Sequence, residues 1–177
     1  MNNPKIIDCT LREGRQSLTK ELTQYQILNI AEAIISLGVD QIEVGHAAKS
    51  KDEVTILNKL KGLYPEISVL THSRAKKLDV EKASESRADW VGIFISANEY
   101  AQYKIRDFSI NRVYELMHES IDTAKSNGLK VRFTLEDSSR TSNDILFDVY
   151  NRAIEYGADR ICFSDALAAS TSASWRA

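Results

Sequence analysis

The stretch Val131-Arg132-Phe133-Thr134-Leu135-Glu136 decides the fold. Val131, Phe133 and Leu135 share one face of a strand, and Arg132, Thr134 and Glu136 share the other. A doubly wound parallel sheet is covered by helices on both faces and reads apolar throughout. One apolar and one polar face predicts helices outside and a polar interior, as in a (β/α)8 barrel. Two more strands repeat the pattern: Asp8 and Thr10 oppose Ile7 and Cys9, and Gln41 and Glu43 oppose Ile42 and Val44. Edge-strand solvation would account for one such strand but accounts poorly for three.

Outward from this stretch the chain alternates strand and helix. Short β-branched runs at 5–9, 41–44, 67–71, 90–95, 131–135 and 160–163 predict strands. Between them lie segments of helical period. Residues 22–37 put Ile27, Ile30, Ala31, Ile34 and Ile35 on one face, and Gly38 stops the run. Residues 51–63 align Val54, Leu57, Leu60 and Leu63, and 76–86 form a shorter helix. Residues 110–126 align Val113, Leu116, Met117 and Ile121, and Asn127-Gly128 closes them. The last segment, 143–156, starts at a Ser142 or Asn143 cap and is followed by Gly157. A repeat of about 30 residues is that of a βαβ unit. Neither G-x-G-x-x-G nor a Walker loop is present, which weakens dinucleotide and nucleotide-binding readings.

The expected architecture is therefore α/β, an incomplete (β/α)8 TIM barrel of about six parallel strands and five helices. A closed barrel needs eight strands and typically about 250 residues, against 177 residues here. Two strands and up to three helices are expected to be missing. Residues 1–167 read as the amino-terminal part of a catalytic barrel domain. Residues 168–177 read as a low-complexity tail.

Composition excludes several classes. The chain is 43% hydrophobic and 27% charged, with a formal net charge of -2, so neither nucleic acid nor an anionic membrane is an expected partner. No apolar run approaches the roughly 18 residues of a membrane span, and no signal-peptide core opens the chain. Cys9 and Cys162 read as small buried hydrophobes inside strands, not as a zinc pair or a disulfide. A reducing cytoplasm is the expected compartment.

Barrel enzymes carry their chemistry at the carboxyl ends of strands. Here those ends hold Arg12 and Glu13, His46, His72, Ser96, the Arg132–Thr134–Glu136 row and Asp165. Each has a plainer reading. Arg12 and Glu13 could be a surface turn pair, and His46 and His72 core histidines. Arg132 and Glu136 could fill the barrel as an ion pair, and Asp165 could cap a helix. The tract 97–107, with Tyr100, Tyr103, Lys104 and Arg106, is either a loop over the rim or a solvated connection.

At these residues the sequence resembles the homocitrate synthase and 2-isopropylmalate synthase family of metal-dependent condensing barrels. The resemblance rests on Asp8-Cys9-Thr10-Leu11-Arg12-Glu13-Gly14-Arg15-Gln16, on Ile42-Glu43-Val44 and on Thr71-His72. It continues through Val131-Arg132-Phe133-Thr134-Leu135-Glu136-Asp137 to Asp165. It implies a Claisen condensation of acetyl-CoA, as co-substrate, with a 2-oxo dicarboxylic acid such as 2-oxoglutarate, on the route to lysine. It also implies a divalent metal, zinc, magnesium or manganese, to polarise the keto group. Glu13 matches the metal carboxylate. Arg12 matches the catalytic arginine beside the keto oxygen. Arg12, His72, Arg132 and Thr134 match substrate-binding positions, for which a guanidinium fork suits a carboxylate. Asp8, Glu43, Glu136 and Asp165 match supporting positions.

Several departures set expectations too. The family's His-x-His metal motif is absent, and His118 falls in mid-helix. Ala166 stands where relatives have threonine, and Arg15 where they commonly have glutamate. The likeness fades near Leu167, as a truncated or frame-shifted coding sequence, or a barrel split into two chains, would produce. The chain is expected to be inactive alone and to pair with a second copy or a complementing barrel fragment. Two rival readings stand beside this one. The first is a related barrel lyase or aldolase, or a 2-isopropylmalate or citramalate synthase. The second is a non-catalytic fragment that binds or assembles.

Overall fold

A computed structural model describes residues 4–98, 105, 107–168 and 170. Six parallel strands form one sheet in sequential order: β1 Ile7–Asp8, β2 Gln41–Glu43, β3 Ser68–Arg74, β4 Trp90–Ser96, β5 Lys130–Glu136 and β6 Arg160–Phe163. Five helices connect them: α1 Gln24–Ser36, α2 Lys51–Leu63, α3 Lys77–Ser84, α4 Ile110–Ser126 and α5 Asn143–Glu155. This is the expected incomplete (β/α)8 barrel, with β1 and β6 as its outer strands. Two side-chain bridges cross the interior of the curved sheet. Arg132 of β5 donates to Glu43 of β2 at 2.7 Å, and Arg160 of β6 donates to Gln41 of β2 at 3.1 Å.

Local chemistry fixes the helix ends. Thr23 and Gln26 make a capping box at α1, while Ser50 and Ser109 accept from backbone N–H groups at α2 and α4. The apolar stripes then pack on the outer face of the sheet. Leu57, Leu60, Met117 and Ile121 from the helices bury with Val91, Val131, Phe133 and Leu135 from the strands. Ile42 and Val69 join the same core, which is the apolar half of the alternation read from 131–135.

An unforeseen element secures the amino ends of the strands. An aspartate just before each even-numbered strand accepts a backbone N–H of the strand segment before it. Asp40 takes Ile6 N at 2.8 Å, Asp89 takes Val69 N at 2.9 Å, and Asp159 takes Val131 N at 2.7 Å. Lys61 and Lys125 pair with the second and third of these carboxylates at 2.8 Å each. The period is two βα units, so the strands are tied in pairs at the end remote from the chemistry.

Two expectations need correction. The first strand is only Ile7–Asp8, because a π-helical turn, Thr10–Gly14, begins two residues later. Cys9, just after the strand, faces the interior, with its thiol 3.5 Å from Glu43 Oε2, where Asp8 was expected. The cysteines are free and half-buried instead of fully buried. Burial, with the Glu43 carboxylate beside it, pushes the Cys9 thiol up to about 11, so it stays protonated. Among the described residues no helix is long and apolar enough to cross a membrane. Tyr100, Tyr103, Lys104 and Arg106 lie outside the described residues, as does most of 168–177.

Candidate active site

The site is built around Glu43, whose side chain is 0% exposed. Its strand position points it inward, where three cationic or polar groups converge. Arg132 Nη1 donates to Oε2 at 2.7 Å. His72 Nδ1 lies 3.0 Å from Oε1, and Arg12 Nε is in ion-pair contact with the same oxygen. Burial alone would raise the Glu43 pKa. Hydrogen bonds from His72 and Arg132 outweigh it and hold the carboxyl below the usual carboxylate range. A buried ionised carboxylate persists only with such partners.

The π-helical turn aims Arg12. Its start is pinned by Asp8, which accepts Thr10 N at 2.9 Å and Thr10 Oγ1 at 3.2 Å. Leu11 buries beneath the turn. The next two residues then diverge: Arg12 turns inward, while the Glu13 side chain is 57% exposed and ion-paired to Arg12 on its solvent side.

His72 is shared between Glu43 and Arg132, whose Nη2 is 3.3 Å from the same Nδ1. With its proton on Nδ1 the ring donates to Glu43; with the proton on Nε2 it accepts from Arg132. Burial lowers its pKa and Glu43 opposes that shift. His46 stands edge-on to His72 with ring centroids 5.1 Å apart. Burial, helped by the nearby His72 and Arg12, lowers it from 6.5 to about 4. At neutral pH both rings are uncharged. Two guanidinium groups therefore flank one buried carboxylate, and the exposed Glu13 carboxylate pairs Arg12 from the solvent side. Arg132 Nε and Thr134 Oγ1 are buried and find no hydrogen-bond partner among the described residues. Unsatisfied buried polar atoms of this kind call for an explanation, and a bound ligand supplies one.

His46 carries a pH response, and His72, whose pKa burial also lowers, acts in the same sense. The folded state prefers the neutral ring, so the unfolded chain takes up a proton first as pH drops below 6.5. Stability present above that pH is lost progressively toward pH 4. The ring is partly exposed, so the loss should be on the order of 1–2 kcal/mol. Urea unfolding at pH 7 and pH 5 should show stability falling with acid, and His46→Gln should flatten that slope. An equal slope in the variant would exclude His46 as its source.

Gly92 makes the cluster possible. A Cβ there would lie 2.9 Å from Arg132 Nη2, 3.0 Å from Leu70 Cδ2 and 3.2 Å from His72 Nδ1. The signal was present in the sequence as an isolated glycine inside a β-branched strand, which marks close approach. Arg15 also has a structural use. Its guanidinium forks onto Glu53 at 3.1 and 2.5 Å, both side chains being nearly buried. That pair ties the turn carrying Arg12 to the start of α2 beneath Gly45.

Two remaining positions lie apart from the Glu43 hub. Glu136, at the rim, accepts from Ser96 Oγ at 2.5 Å. Asp165 accepts from Ser139 Oγ at 2.6 Å and Ser170 N at 3.0 Å. Above the hub a cavity of about 620 Å³ opens at the carboxyl ends of β3, β4 and β5. It is lined by Arg74, Lys76, Phe94, Ser96, Arg112 and Glu136, among others.

The description HMGL-like fits a family model that matches residues 3–176. The chain belongs to the HMGL-like family. Two relatives, both described as homocitrate synthases, align with most of it. That of Sulfurisphaera tokodaii is 37% identical over 166 residues, 92% of this chain and 36% of its own length. That of Pyrococcus horikoshii is 38% identical over 160 residues, 90% of this chain and 44% of its own. The chain thus spans less than half the length of these curated relatives. Solved HMG-CoA lyases share the fold. The Bacillus subtilis structure superposes with a TM-score of 0.83 at 15% identity, covering 98% of this chain and 63% of that one. The Pseudomonas aeruginosa structure gives 0.82 at 16%, covering 97% and 61%.

Proposed function

We propose that this chain forms the acid-binding part of a homocitrate synthase-type site, which condenses acetyl-CoA with a 2-oxo dicarboxylic acid such as 2-oxoglutarate. The observation that carries the reading is the buried set Arg12, Glu43, His72 and Arg132, with spare polar valence at Arg132 Nε and Thr134 Oγ1. A carboxylate seated there would satisfy both orphan atoms and meet the Arg132 guanidinium. Arg12 would stand over the keto oxygen and stabilise the charge that builds on it during carbon–carbon bond formation. Glu43 would hold both guanidinium groups at fixed spacing. The neutral His72 would accept or donate one hydrogen bond without adding charge.

The family resemblance adds a divalent metal held in part by Glu13. The residues described here do not fit that ion by themselves. Among them no three histidine, cysteine or acidic side chains gather to hold a metal, whereas a catalytic zinc usually has about three protein ligands. The reading therefore gives the chain acid recognition, with condensation requiring further groups from a complementing barrel segment or a partner copy. Lyase chemistry is the second reading, favoured by the shared fold with HMG-CoA lyases. A chain that only binds or assembles is the third.

Calorimetric titration of the 177-residue chain with 2-oxoglutarate tests this. Binding is expected, with Arg132→Ala weakening it at least tenfold, while acetyl-CoA plus 2-oxoglutarate releases no free CoA. Binding that is indifferent to Arg132→Ala would overturn the assignment, and CoA release would overturn the expected inactivity.

A further inference from the structure

The cavity above the hub is used by none of the steps above. Its boundary with the hub is the ring of Phe94, stacked on His72 with centroids 4.6 Å apart. Strand register defines the levels. His72, Gly92 and Arg132 stand side by side, and Arg74, Phe94 and Thr134 form the next inward-facing row. Successive rows on one face are roughly 6–7 Å apart along a strand. The Phe94 ring thus sits one row beyond His72 and Arg132 and level with Thr134.

The far side of the ring has its own character. Arg74, Lys76 and Arg112 line it, with Ile95, Ile105 and Leu116 as apolar walls. Arg74 is held by Asp79 through contacts of 2.5 and 3.1 Å, which fix its guanidinium at the mouth. The volume, about 620 Å³, is in the range of small-ligand pockets, roughly 300–1,000 Å³. Arg132 on one side of the ring and Arg74 on the other suit a dicarboxylate whose two ends lie farther apart.

We infer that Phe94 sets the chain length of the acid this site accepts, and that Arg74 receives the distal carboxylate of a longer acid once the ring is removed. The inference rests on the dicarboxylate reading above. With phenylalanine in place, a short acid fills the space between Arg132 and the ring, and a longer one meets the ring. With the ring gone, hub and cavity merge, and added methylene groups extend through the space the ring leaves toward Arg74. Discrimination by one or a few methylene groups is worth roughly 10–200-fold in an apolar pocket.

The test is calorimetric titration of the chain with 2-oxoglutarate, 2-oxoadipate and 2-oxopimelate. Preferences are compared within each variant, so differences in folded fraction cancel. The parent chain should prefer 2-oxoglutarate over 2-oxopimelate at least tenfold. Phe94→Ala should shift that ratio at least tenfold toward 2-oxopimelate, and Phe94→Leu, which better preserves packing, should shift it less in the same direction. Adding Arg74→Gln to Phe94→Ala should abolish the gain. A ratio unchanged in both Phe94 variants, with 2-oxoglutarate still binding the parent, overturns the inference and leaves the proposed function standing. A gain that survives Arg74→Gln overturns the role of Arg74. No binding of any of the three acids to the parent overturns both.

Discussion

Replacing Glu43 with alanine should destabilise the fold by about 3–5 kcal/mol. The carboxylate is fully buried and is the counter-charge to Arg12 and Arg132, the latter within 2.7 Å. Removing it leaves two guanidinium groups facing each other with no anion between them. A domain of this kind has roughly 5–15 kcal/mol of stability in total, so the variant should unfold at a much lower urea concentration. Glu43→Gln keeps the shape and one acceptor oxygen, and should lose less. Arg12→Leu combined with Glu43→Leu removes both members of one pair, and should recover part of the loss of Glu43→Ala. Urea midpoints for the three variants check this order. Equal midpoints for parent and Glu43→Ala would mean that the hub is not a folding element.

Gly45→Ala should cost about 3 kcal/mol, from two independent causes. The backbone at Gly45 has φ of +46°, a conformation that strains any residue with a Cβ, typically by about 1 kcal/mol or more. The added carbon would also lie 2.0 Å from Glu53 Oε2 and 3.1 Å from Arg15 Nη1. Glu53 cannot swing away without breaking its fork with Arg15, which is almost buried. Gly38 is the internal control. It has φ of +79°, and a Cβ there meets nothing within 4 Å, so Gly38→Ala should show the backbone cost alone, about 1 kcal/mol. Urea unfolding of the two variants separates the effects. Equal losses would show that the Arg15–Glu53 lock yields freely.

Much of this was legible in the residue order, for reasons that differ by element. Helices 51–63 and 110–126 match the structure at both ends, because Ser50 and Ser109 cap them and Leu63 and Asn127 end their apolar periods. The strand of Arg132 and Thr134 was legible because alternation places a whole face at once. The first strand was misjudged: the apolar run into Cys9 looks like a longer strand, while Asp8 folds back onto Thr10 and starts the π-helical turn. The hub itself could not be read. Glu43 was placed on the inner face, but its role depends on Arg132, 89 residues away in the chain, and pairings at that range leave no local pattern. Arg15 looked like a mere departure from a family pattern, because its partner Glu53 lies 38 residues on. Phe94 reads in sequence as one more apolar strand residue, and only the register beside Arg74 and Thr134 gives it a place over the hub.

The most direct test of the central claim is a crystal structure of the chain grown with 2-oxoglutarate. The account predicts the acid against Arg12 and Arg132, with a carboxylate oxygen within hydrogen-bond distance of Arg132 Nε and Thr134 Oγ1, and Glu43 still bridging the two arginines. Density for the acid elsewhere, with Arg132 Nε and Thr134 Oγ1 untouched in a well-ordered interior, would contradict it.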